Sequence, residues 1–134
     1  MSRQILAFVP LIALSFAFFL GGCQASSSST ANTGTPISPD QLPDLRAQYM
    51  QANPNVRIGL VTASDPANHL ASIGYARADD FAVGSIVSFE TPNHQLIANG
   101  TVTSATDNSI NVQYQLSGTH LRDPAAGDLA FTFK

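Results

Sequence analysis

Few side chains in this sequence could do chemistry: His69, His94 and His120, Glu90, the aspartates at 65, 79, 80, 123 and 128, and a single cysteine, Cys23. An active site needs a nucleophile, a base or a metal shell drawn from such groups. Asp65 and His69 are the best-spaced metal pair, yet Pro66 falls between them. The segment reads as a turn and not as a helix that would align side chains four apart. His120 and Asp123, with Arg122 between them, lie in the loop before the last strand. There they could pair a base with its orienting carboxylate, or simply cap and close the loop. Asp79-Asp80 offers two carboxylates to a hard cation such as calcium, but further oxygen ligands at regular spacing are missing. His94 follows Pro92-Asn93 in a turn and is expected to be solvated.

No glycine-rich phosphate loop, nucleotide fingerprint or Gly-x-Ser-x-Gly elbow occurs, so no nucleotide is expected. Asn99-Gly100-Thr101 has the form of a glycosylation sequon, which by itself carries no function. One cysteine excludes an intramolecular disulfide, a Cys-x-x-Cys pair and a Cys-rich zinc site. No metal and no catalytic residue are assigned, and a non-enzymatic protein is the leading expectation. The competing class is a small hydrolase or metal-dependent enzyme that uses His120 and Asp123.

The 134 residues suit one domain, and six basic against nine acidic side chains give a net charge of −3. An acidic chain offers no electrostatic footprint for phosphate backbones, so nucleic acid is not an expected partner. The 44% apolar content is unevenly spread, since residues 1–22 hold four of the eight phenylalanines. Arg3 precedes an uncharged, almost wholly apolar run from Ile5 to Leu20, the layout of an export signal. Sixteen residues fall short of the roughly 20 that span a bilayer, and Pro10 would weaken a permanent span. The run ends Leu20-Gly21-Gly22-Cys23, which resembles the lipobox of bacterial lipoproteins. That resemblance implies cleavage between Gly22 and Cys23, with a diacylglycerol on the Cys23 sulfur and an acyl chain on its new amino group. No other cofactor is expected. More than one acyl chain is enough for stable anchoring. Gln24 instead of aspartate after the cysteine implies, by the same resemblance, the outer membrane facing the periplasm. Loss of Arg3 would leave a charge of −4, which argues against attraction to anionic lipid.

The candidate side chains depend on a scaffold that begins after the cysteine. Residues 23–36 are small and polar, a tether with a reach of about 20 Å. Residues 37–55 hold a short helix and a linker. Ser38-Pro39-Asp40-Gln41 has the form of a capping box, and a start at Leu42 with Pro43 as first residue fits equally well. Leu42, Leu45 and Tyr49 then share one face, and the helix ends near Ala52 because Asn53 precedes Pro54. Such a helix cannot stand alone and is expected to cover an open end of the strand region after it.

Residues 56–134 alternate at period two around Val56 to Leu60, Ile110 to Leu116 and Leu129 to Phe133. Further strands are expected at Leu70 to Tyr75, Ser85 to Glu90 and Leu96 to Thr106. A bulge is expected at Asn99-Gly100 within the long fourth strand. The fold class is therefore mainly β, a small antiparallel β-barrel of about six half-buried strands preceded by one short α-helix. Tyr49, Tyr75 and Tyr114 fall on predicted apolar faces, which disfavours a carbohydrate platform. Asp80 to Val87 echoes Asp123 to Ala130, with Asp, Ala and Gly at equal spacing, as if two strands were entered through the same turn.

Arg57-Ile58-Gly59-Leu60-Val61, Val83-Gly84-Ser85-Ile86-Val87, Ile97 to Val102 and Ala126-Gly127-Asp128-Leu129 carry a resemblance to small Src-homology-type β-barrel modules of the bacterial envelope. The resemblance implies a non-catalytic role in interaction or spacing. An envelope protein partner or peptidoglycan is thus expected, met by strand addition at an open barrel edge. Contact loops are expected at Asp65 to His69, Ala76 to Asp80 and Gly118 to Asp123. A peptidoglycan-associated structural spacer is the remaining alternative.

Overall fold

A computed structural model describes residues 34–118 and 122–134. Cys23, the lipobox and His120 lie outside them. A 3-10 turn, Pro39–Gln41, runs directly into helix α1, Leu42–Ala52, so both helix starts legible in the sequence are used in succession. The Ser38 amide donates to Gln41 Oε1 at 3.0 Å, and Pro43 sits in the first turn of α1, where no donor is needed. Asn53 leaves the helix in an extended conformation before Pro54.

Six strands come next: β1 Val56–Asp65, β2 Leu70–Gly74, β3 Ile86–Glu90, β4 Leu96–Ala105, β5 Ile110–Leu116 and β6 Leu129–Phe133. They close into an antiparallel barrel in the order β1-β2-β5-β4-β3-β6. Closure means that strand addition at a free barrel edge, the expected docking mode, is not on offer. Strands β1 and β4 are the long ones, and each turns a corner: β1 pairs β6 up to Leu60 and β2 from Leu60 onward, while β4 pairs β3 from Leu96 to Thr101 and β5 from Ala98 to Ala105. Each carries a bulge at that corner, between Val61 and Ala63 and between Val102 and Ser104.

The irregularities in β4 therefore lie at Thr103, opposite β5, and at Ile97, opposite β3, and not at Asn99-Gly100. Gly100 stays in register with Val87 and Tyr114. It is glycine because a Cβ would run into Val112 Cγ1 and the Gln113 carbonyl. Gly59 in β1 meets Ile73 in the same way.

This equivalence is general. The sequence echo is one face of a pseudo-two-fold that exchanges β3-β4-β5 with β6-β1-β2. Gly84 and Gly127 both adopt positive φ, at 88° and 93°. Gly84 N–H donates to the Val102 carbonyl while Val102 N–H donates to that of Ser85. Gly127 N–H donates to the Val61 carbonyl while Val61 N–H donates to that of Asp128. The axis passes between Ser88 and Phe131, which are cross-strand partners.

The barrel interior is filled by Val61, Ala71, Ile73, Val87, Phe89, Val102, Ile110, Val112 and Tyr114, with Phe81 contributed by the loop between β2 and β3. Helix α1 does not cover an end of this core. It lies on the outside of the wall, where Leu42, Leu45 and Tyr49 pack on Val56, Ile58, Leu60, Leu129 and Phe131. Four of the five β6 residues are consequently buried, on both faces, so this strand is not half-buried. Tyr75 falls just beyond β2 with a φ of 55° and is exposed, contrary to its predicted apolar face.

Candidate functional site

One expected contact loop, Asp65 to His69, and Arg122 and Asp123 from the described end of another meet at one pole of the barrel, around Tyr114. Its ring is fully buried, and its hydroxyl donates to Asp123 Oδ1 at 2.6 Å. Its backbone N–H donates to the His69 carbonyl, and the His69 ring stands edge-on to the phenol at 5.6 Å. His69 takes a φ of 52° at the end of a turn closed by Asn68 Nδ2 donating to Asp65 Oδ2. Asp65 thus helps to hold the turn. Burial raises the Tyr114 pKa above its ordinary value, and the Asp123 carboxylate adds to the rise. At neutral pH the phenol is a hydrogen-bond donor and not a nucleophile.

Arg122 closes the same pole from the other side. Its two terminal nitrogens fork onto Asp128 Oδ1 and Oδ2, both at 2.7 Å, and Nη1 also donates to the Asp123 carbonyl. Asp128, which is buried, accepts a third bond from the Ala125 amide at 2.8 Å. Among the described residues, the partners of Asp123 and Asp128 are groups that shape the loop. The pairing of Asp123 with His120 lies outside the described residues. Among the described residues no group of three or more His, Cys, Asp or Glu side chains could hold a metal ion.

The third expected loop lies elsewhere. Asp79 is exposed near Arg77, while Asp80 takes Arg57 Nε at 3.3 Å and Lys134 Nζ at 3.1 Å. These two carboxylates therefore do not converge on one point.

A second cluster is invisible in the sequence because its members come from α1 and the β3–β4 hairpin. The Tyr49 hydroxyl lies 2.6 Å from His94 Nδ1, and Glu90 Oε2 lies 3.9 Å from the same nitrogen. His94, at a φ of 62°, is 57% exposed at its side chain, as expected of its turn, and is partnered as well. A proton relay needs the hydroxyl on one ring nitrogen and the carboxylate on the other. Here both address Nδ1, so the trio ties the helix to the hairpin and does not activate an oxygen. Burial raises the pKa of Glu90 despite the opposing pull of His94, and burial, with Glu90 second, raises that of Tyr49.

The trio sits in the middle of a groove running along α1. At one end the groove is walled by Pro36, Asp40, Asp44, Gln48 and Asn93. At the other, a cleft of about 330 Å³ is lined by Tyr49, Val56, Ser88, Glu90, Leu96, Phe131 and Phe133. Leu45, Gln48 and His94 join the first end to the middle, Tyr49 and Ala52 join the middle to the second, and among the described residues the lining holds three carboxylates and no arginine or lysine. Phe133 and Ile86, 63% and 64% exposed, extend the apolar end onto open surface.

No helix among the described residues is long and apolar enough to cross a membrane. No protein-family model, curated protein or solved structure matches the chain.

Proposed function

We propose that the chain is a non-enzymatic, lipid-anchored protein of the bacterial envelope. Cys23 carries the acyl chains, and the barrel presents the groove beside α1 to a partner protein in the periplasm. The carrying observation is the uncovered part of the outer wall. Phe133 and Ile86 stand exposed beside an apolar cleft while Leu42, Leu45 and Tyr49 seal the adjoining part of the β1–β6 wall. The groove's other end bears Asp40 and Asp44 without a countercharge in the lining. A partner segment with apolar side chains at one end and a lysine or arginine at the other is complementary to both. The lipobox residues Leu20-Gly21-Gly22-Cys23 support the anchor, and the export signal supports the periplasmic face.

Two measurements test this reading. Replacing Phe133 with a photo-crosslinking benzoylphenylalanine in the full chain and irradiating intact cells should give one discrete adduct, lost when Asp40 and Asp44 are both changed to Asn. A diffuse smear, or an adduct indifferent to those changes, overturns the groove. Cys23→Ser should end uptake of labelled palmitate and release the protein from membranes; unchanged partitioning overturns the anchor.

A further inference from the structure

The opposite flank of α1 has the opposite character. Apart from Arg3, the chain has five basic residues, and four of them, Arg46, Arg57, Arg77 and Lys134, converge there although they are far apart in sequence. Arg46, Arg57 and Arg77 line a cleft of about 370 Å³ together with Met50, Val56, Ile58 and Asp80. Lys134 reaches Asp80 from the end of β6. Two carboxylates face these four cations: Asp80 receives Arg57 and Lys134, and Asp79 lies 4.0 Å from Arg77. The cluster therefore keeps an excess of two positive charges in a protein whose net charge is −3.

The three arginines line the same cleft. Arg46 is steadied by its Nε donating to the Ile58 carbonyl at 3.1 Å, which leaves its terminal nitrogens for other acceptors. Arg57 is half-buried and braced by Nη1 donating to the Pro54 and Val56 carbonyls. Burial lowers the Arg46 pKa, with Asp80 opposing, as expected of a cation held where water only partly reaches it. Like charges gathered in a partly desolvated cleft repel one another, and an anion that forks onto two guanidiniums relieves that repulsion. Beside them Met50 is 46% exposed and offers an apolar seat for the rest of a ligand.

We infer that this cleft is an anion site for a phosphate group, gripped by Arg46, Arg57 and Arg77, with Asp80 acting as the resident competitor. The phosphate arrives on a small solute or as the headgroup of an anionic phospholipid of the membrane that holds the anchor. This site stands independently of the groove on the other side of α1.

The test uses the full chain in neutral detergent micelles, followed through the arginine Nε–H signals in nitrogen–proton correlation spectra. Inorganic phosphate should shift Arg46 and Arg57 saturably while Arg122, locked onto Asp128, stays in place; chloride at equal ionic strength should not. Changing Arg46 and Arg77 to Gln together should weaken binding by about tenfold or more. Asp80→Asn should strengthen it several-fold, a gain that a merely structural role for Asp80 would not produce. Should Asp80→Asn fail to fold, Arg77→Gln alone, at an exposed position, should weaken binding several-fold, and unchanged binding then overturns the site. In a parallel arm, dihexanoylphosphatidylglycerol replaces phosphate. Saturation that also moves the Met50 methyl assigns the lipid headgroup as the source, and saturation by phosphate alone assigns a solute. Parallel drift of Arg122, or weaker binding in Asp80→Asn, overturns the site.

Discussion

Asp128→Asn is the most informative single change at the barrel pole, because it preserves volume and removes only charge and acceptor capacity. The carboxylate accepts three bonds, two from Arg122 at 2.7 Å and one from the Ala125 amide at 2.8 Å. An asparagine turns its NH₂ toward one of these donors, leaving the Arg122 guanidinium with a repelling neighbour and an unpaired charge. Removing one member of a buried pair costs roughly 3–5 kcal/mol. Asp128 is 4% exposed at its side chain but Arg122 is 28% exposed, so water can re-solvate part of the cation and the lower end of that range applies, about 3 kcal/mol. In a domain of about 100 residues each kcal/mol moves the melting temperature by roughly 4–8 °C, which gives a fall of at least ~12 °C. Far-UV circular dichroism melts at pH 7 measure it directly. Arg122→Gln and the double variant complete a cycle in which the two changes should fall short of additivity by at least ~1 kcal/mol. A drop below ~4 °C for Asp128→Asn, or simple additivity, would show that the pair does not hold the pole together.

Other outcomes rest on the same geometry. Gly84→Ala should cost about 1 kcal/mol in urea unfolding, since its Cβ meets nothing within 4 Å and only the positive φ is strained. Gly127→Ala should cost clearly more, because there the Cβ also overlaps Pro36; equal costs would deny the steric contribution. Glu90 has a folded pKa raised by burial, so it stabilises the fold when protonated, and that contribution is lost as pH rises through the folded value. Glu90→Gln should therefore melt higher than the unaltered chain at pH 7, and the two should converge below about pH 4; a constant gap refutes the reasoning. The raised Tyr114 pKa predicts that stability falls as pH climbs above about 10, and that Tyr114→Phe flattens this alkaline limb in melts taken between pH 8 and 11.

The strands are legible in the sequence because each wall residue alternates with an interior one, and period two survives even where both faces are buried. The six strands end within a residue or two of the expected limits, except that β1 runs five residues past Leu60 around its corner. Which side of the wall the helix takes is not legible. Leu42, Leu45 and Tyr49 announce an apolar face but not its target. The place of the bulge is hidden for a related reason: Gly100 signals close approach or positive φ alike, and only the position of Val112 on the neighbouring strand decides between them. At the pole, Arg122 and Asp123 have the look of chemistry in the sequence, yet their partners Tyr114 and Asp128 belong to a strand and a strand entry. The cationic cleft is hidden by averaging. Net charge sums over the chain, while Arg46, Arg57, Arg77 and Lys134 meet only after folding.

The pseudo-two-fold explains why the molecule has a helix-covered wall and an open one. Under that symmetry the pair Ile58–Phe131 in the β1–β6 wall corresponds to Asn99–Ser88 in the β4–β3 wall, and Leu60–Leu129 corresponds to Thr101–Ile86. Three of the four apolar outer-face side chains are thus replaced by polar ones. Ser88 Oγ donates to Asn99 Oδ1 at 2.8 Å where Ile58 and Phe131 instead pack under Tyr49. A helix laid on the second wall would strip water from Asn99, Ser88 and Thr101 for little apolar gain, so α1 has one seat. Ile86 is the exception, an aliphatic kept at an outer position and left 64% exposed next to the groove. Solubility alone favours a polar residue there, as at its three companions. Its retention beside Phe133 fits the proposal that this seam, where the sealed wall meets the open one, is the surface a partner covers.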